Sequence, residues 1–335
     1  MRNIFISTIL MTLFICCDSN ENVKQINSFP VTTPIRCQKK ISIDSVFMSY
    51  PILKIDGNYC CIADMATREY FFHLYSYPSF KYVKSFGAVG KGSNELVMLT
   101  DFDFHDGVVT ALCGADYTIK LFNINTPQSP KVIKPQKKND YSAICNGCDN
   151  TFYLYSITGD KRILRIDTCG KVLSEGLKAE SLKKEYPRMT PNYVWQSRIR
   201  RKDDVVVVPT ICGDIIDMAN INLEPIIRIK GPIGEPCVKE VAFKGYTSYM
   251  LQYQTYIDAV LSKQIYTLYM CEDLSEYPNG KMRNSIRVFD YQANPIKELL
   301  LEKDIEASSF YVDESTKKIY VLVPDSDKPI WVYEM

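Results

Sequence analysis

Residues 308 to 333 read SSFYVDESTKKIYVLVPDSDKPIWVY, three apolar runs separated by turn-forming residues. Ser308–Val312, Lys318–Val323 and Pro329–Tyr333 are each strand-length and rich in β-branched and aromatic side chains. Three strands of one small sheet leave an exposed edge, which invites pairing with another segment. Lys39-Lys40-Ile41-Ser42-Ile43, near the other end of the sequence, supplies a fourth strand and would join the two ends of the chain into a ring.

Working back from that closure, the chain alternates short apolar runs with turns rich in Asp, Gly, Asn, Ser and Pro, and few windows carry helical periodicity. Tyr70–Tyr75 is followed by Lys81–Phe86 as a strand and its hairpin partner, and the same pairing recurs around Leu121, Leu164, Ile216 and Val288. Measured from Leu74 onward, these points lie 47, 43, 52 and 72 residues apart. The first three intervals suit a four-stranded repeat, and the last carries a long insertion. A sheet that small cannot bury both of its faces alone, so consecutive sheets pack radially about an axis. The expected fold is all-β: a six-bladed propeller with blades near 47–88, 99–135, 141–178, 192–231, 240–302 and a composite 304–335 plus 36–45. Seven blades is the alternative, because the fifth unit is enlarged.

Apolar residues make up 46% of the 335 and charged residues 24%, as in ordinary globular proteins. Forty basic against 39 acidic residues give no global field for nucleic acid, which is not expected as a partner. Two histidines, His73 and His105, exclude a His-rich metal centre.

The first 17 residues, MRNIFISTILMTLFICC, place one basic residue before an apolar stretch too short to span a bilayer. Leu13-Phe14-Ile15-Cys16-Cys17 resembles the cleavage box of bacterial lipoproteins. That resemblance implies lipid attachment at Cys17, with Cys16 the alternative. The expected organisation is a signal peptide over 1–16, a polar tether over 17–35 and the propeller over 36–335. The product would be held on the outer membrane by its acyl groups, periplasmic or surface-exposed, with no transmembrane helix after processing. Of the twelve cysteines, Cys145 and Cys148 form the sharpest local pair and are the candidate disulfide, with unpaired thiols in a turn or strand the alternative.

Phe86-Gly87-Ala88-Val89-Gly90-Lys91-Gly92-Ser93-Asn94-Glu95-Leu96 lacks the order of a phosphate loop or a dinucleotide fingerprint and suits a turn between blades, with Gly87, Gly90, Gly92 and Glu95 its key positions. With the repeat pattern, it resembles the inter-blade turn of extracellular six-bladed propellers related to NHL and TolB-like repeats, particularly propeller lipoproteins of the Bacteroides group. The resemblance implies architecture and an envelope-associated binding role; it carries no catalytic set.

No local pattern supplies a nucleophile with its base. Asp101 and Asp103 project to one side of an extended strand, where they could cap backbone or hold calcium; no other cofactor is expected. Tyr193 and Trp195 before blade four, and Tyr256 in the enlarged unit, are candidate ligand contacts, because propeller loops converge on shared faces. The expected function is a lipid-anchored module recognising an envelope protein, glycan or small ligand. The alternative is a carboxylate-dependent hydrolase or lyase acting on an envelope polymer, its acids gathered from several blades.

Overall fold

The computed structural model describes residues 22–43, 47, 51–181, 186, 189–243, 246–274, 284–303 and 305–335. Residues 1–21, including Cys16 and Cys17, on which the expected signal peptide and lipid site fall, lie outside them. Six four-stranded antiparallel sheets follow one another along the chain, spanning 52–88, 99–133, 141–176, 200–230, 253–300 and 309–334 with residues 39–41. The first strands of the six blades are Ile52–Asp56, Leu99–His105, Tyr141–Asn146, Arg200–Lys202, Tyr253–Leu261 and Ser309–Asp313. They touch one another in a closed ring, the sixth against the first. The chain is therefore an all-β six-bladed propeller. Among the described residues, no helix is long and apolar enough to cross a membrane.

Apolar packing lies between blades rather than at a single centre. In the second strand of blade one, Cys60 and Ile62 face blade six while Cys61 and Ala63 face blade two. A strand buried on both faces needs unbroken apolar sequence, and alternation sends neighbouring side chains into different cores. Leu74, Leu121, Leu164, Ile216 and Val288 all fall on the third strand of their blades.

Three short strands precede blade one: β1 (Val23–Gln25), β2 (Thr32–Pro34) and β3 (Lys39–Ile41). β3 completes blade six as expected, with Ile41, Lys40 and Lys39 opposite Ile330, Trp331 and Val332. The Lys40 ammonium lies 3.3 Å from the centre of the Trp331 ring, a cation–π contact that fixes this register. β1 and β2 fall within the stretch assigned to a tether. They pair in parallel with the outermost strands of blades four and five, making those sheets five-stranded. The sequence hides them because such an edge strand needs only its backbone: β2 is exposed throughout and β1 nearly so. The insertion that raised the seven-blade alternative is a two-stranded ribbon, Val238–Phe243 with Tyr246–Leu251.

Candidate functional site

Charge concentrates where the first strands meet. Asp101 and Asp103 lie two residues apart on blade two and do face the same way. Asp101 Oδ2 accepts the Ile144 N–H at 3.0 Å and Asp103 Oδ2 the Asn146 N–H at 2.8 Å, so the pair latches blade two to the first strand of blade three. Asp103 Oδ1 accepts the Phe104 N–H, and Asp101 Oδ1 lies 3.6 Å from Arg198 Nη1. Three of the four oxygens thus accept backbone N–H groups, while Asp101 Oδ1 is buried without a hydrogen bond and faces only the Arg198 charge.

Arg198, Arg200, Lys54 and Asp258 extend this network from blades four, one and five. Arg200 Nη2 donates to Asp258 Oδ1, while its Nε and Nη1 donate to the carbonyls of Ala259 and Ile199. Lys54 Nζ and Ser309 Oγ each reach Asp258 Oδ2 at 3.3 Å. Burial would push the Asp258 carboxyl up, but Arg200 and Lys54 hold it down at about 2. Burial, then the Arg200 charge, lowers the Lys54 ammonium. Three cations and three carboxylates balance along the axis, the arrangement that makes buried charge tolerable.

Above this network, on the leading face where the first strands begin, a cavity of about 350 Å³ opens at the channel mouth. Ile52, Ile257, Met270 and Pro324 form apolar walls, and Arg198, Gln254, Glu272 and Glu306 supply polar groups. Arg198 belongs to both layers, lining the cavity while its Nε donates to the Ile257 carbonyl at 3.3 Å. Glu272 is buried, and burial followed by the Glu306 charge raises its carboxyl above the ordinary value. Sequence reading missed Glu272, yet a signal was there. Tyr266, Leu268 and Met270 alternate along one strand into the core between blades five and six, and Glu272 is the next position in that row.

The other candidate contacts are spread out. Tyr193 is exposed on the short helix Pro191–Val194, which Thr190 caps by accepting the Tyr193 N–H. Trp195 is buried between blades three and four, with the Arg162 and Arg228 guanidiniums 5.1 and 5.2 Å from its ring centre. Tyr256 is buried between blades four and five, its hydroxyl donating to Asp214 Oδ1 at 2.8 Å, and lines a separate cavity of about 240 Å³ beneath Ile26–Phe29. Cys145 and Cys148, the candidate disulfide, are separate thiols. Cys145 points into the core between blades three and four, whereas Cys148 leaves the following turn toward Arg165.

The glycine stretch connects blade one to blade two. Gly87 has φ +70°, and a Cβ there would lie 2.7 Å from the Phe72 ring. Glu95 folds back so that its Oε2 accepts the Gly92 N–H at 2.8 Å, and Lys120 Nζ donates to the Glu95 carbonyl. On the opposite face, Asp56, His105 and Asp106 approach one another, with His105 and Asp106 exposed.

Residues 31–315 match the TolB-like 6-blade propeller-like family. No curated protein matches the chain. Among solved structures, the chain is similar to a member of the DUF4221 family from Bacteroides vulgatus, with TM-score 0.59 and 9% identity over 90% of this chain and 96% of that one. It is also similar to a Bacteroides fragilis protein designated as exported, with TM-score 0.57 and 10% identity over 93% and 98% of the two chains. At these identities the likeness concerns the fold.

Proposed function

The chain belongs to the TolB-like family of six-bladed propellers, and on that premise we propose that it is a recognition module of the cell envelope, lipid-anchored at Cys17, which holds its ligand in the leading-face mouth of the central channel. The mouth cavity carries this reading. It has apolar walls, a small set of convergent polar groups and a volume at the lower end of the ~300–1,000 Å³ typical of ligand sites. Six independent blades contribute loops to that face, so recognition can be varied without disturbing the inter-blade cores.

The axial acids support binding over chemistry. Asp258 is held ionised by two cations, and Asp101 and Asp103 are engaged by backbone amides. A general acid needs a carboxyl poised near the working pH, and Asp258, held at about 2, is not one. The raised carboxyl of Glu272 beside Glu306 is the one feature that favours the hydrolase or lyase reading.

Mature protein extracted in detergent should retain a ligand from native envelope extracts and release it unchanged. Ala307→Leu fills the cavity wall and should abolish retention while the far-UV spectrum is preserved. Retention untouched by that substitution would remove the mouth from consideration. Turnover that disappears in Glu272→Gln would establish the enzymatic alternative.

A further inference from the structure

We infer that the mouth holds a subsite for an organic cation, a protonated amine on a short aliphatic stem, with Glu272 as its counter-charge and Glu306 at its rim. The inference rests on the mouth being the binding site and goes on to name what the mouth takes.

Glu272 is only 6% exposed and lines the cavity, yet its carboxylate has no hydrogen bond or ion pair among the described residues. Among the described residues, the buried axial acids Asp258 and Asp101 each have a cation beside them. Asp258 has Arg200 and Lys54, while Asp101 has the Ile144 amide and Arg198. Arg198 does not answer Glu272, because its guanidinium is engaged by Asp101 and the Ile257 carbonyl. The Glu272 side chain is largely covered while its carboxylate faces the cavity without a partner, and an incoming cation supplies one through a charge-assisted contact.

The rest of the lining fixes the stem. Ile52, Ile257, Met270, Ala307 and Pro324 present apolar surface beside the carboxylate, which suits methylene groups. An anionic ligand would meet two carboxylates, and a neutral apolar one would deepen the isolation of Glu272. The Glu272 carboxyl is displaced upward by burial first and the Glu306 charge second. The amine can come from a free small molecule or from a lysine side chain, and the two present the same head and stem.

The test is calorimetric titration of the detergent-extracted full chain at pH 7.5 with n-hexylamine, Nα-acetyl-lysine methylamide, hexanoate and hexanol. At least one amine should saturate, and the tighter of the two identifies the source. Hexanoate and hexanol should bind about tenfold more weakly or worse, and Glu272→Gln should weaken the amine about tenfold, as for loss of a buried charge-assisted contact. Glu306→Gln, at an exposed position, should weaken it less and provides a variant whose folding is not at risk. Equal or tighter binding of hexanoate or hexanol, or failure of both amines to saturate, overturns the cation inference. The mouth reading falls with it only if Ala307→Leu also leaves retention of the native ligand unchanged.

Discussion

Replacing Asp258 by asparagine removes the carboxylate that Arg200, Lys54 and Ser309 share at the propeller axis. The amide keeps the volume but leaves the buried Arg200 charge unanswered, a change that costs about 3–5 kcal/mol in comparable pairs. Two carbonyls, those of Ala259 and Ile199, continue to accept from Arg200, so about 3 kcal/mol is expected. A carboxyl held at about 2 instead of 3.8 contributes roughly 2 kcal/mol at neutral pH. Because the folded value is depressed, that stability is fully present above about pH 4 and is lost as pH falls toward 2, with roughly half gone by pH 3. Urea unfolding followed by the fluorescence of Trp195 and Trp331 should therefore give a large gap between wild type and Asp258→Asn at pH 7, narrowing by about 1 kcal/mol at pH 3. Adding Arg200→Met should recover part of the loss, since it removes the orphaned guanidinium while Lys54 remains without its carboxylate. A gap below about 1 kcal/mol at pH 7, or one that stays constant with pH, would refute the claim that Asp258 holds the axis together.

Truncation separates the outer strands from the closing one. Removing residues up to 35 deletes β1 and β2 and should be tolerated better than removing residues up to 43, which also deletes β3 and exposes the edge of blade six. The second step should cost at least about 2 kcal/mol in urea, because Ile41 and Ile43 pack on the core between blades six and one. Equal stability of the two truncations would contradict the closure argument. Intact-mass analysis of membrane-extracted protein should report a chain starting at Cys17 with acyl mass; a start at Cys16 would move the site, and retention of residues 1–16 would reject anchoring.

The blades were legible because each third strand repeats the same two-sided burial, which forces apolar runs at Leu74, Leu121, Leu164, Ile216 and Val288. The closing strand was legible because the last sheet lacks a member that only Lys39–Ile43 is placed to provide. β1 and β2 were not, since exposed edge pairing imposes no side-chain pattern. The axial network was readable only as the isolated pair Asp101 and Asp103. Its other ties join residues far apart in sequence, such as Lys54 and Asp258, and no one-dimensional spacing encodes them. Glu272 stood within reach as a charge in an apolar row, whereas Arg198, Gln254 and Glu306 converge on it only after the ring has closed.

The pairing of β3 with blade six joins Lys40 to Trp331 across about 290 residues. During synthesis the closing strand is made near the beginning and its partner near the end, so five blades can stack before this contact forms. Closing so long a loop is slow because its entropy must be lost before any pairing rewards it. Until then two sheet edges stand open to neighbouring chains, and the nascent ring is most vulnerable to aggregation just short of completion. A circular permutant that links Glu334 to Arg36 by a short turn would make β3 the hairpin partner of the strand before it. It should refold faster than the natural order at similar stability, and an unchanged rate would place the slow step in the blades themselves.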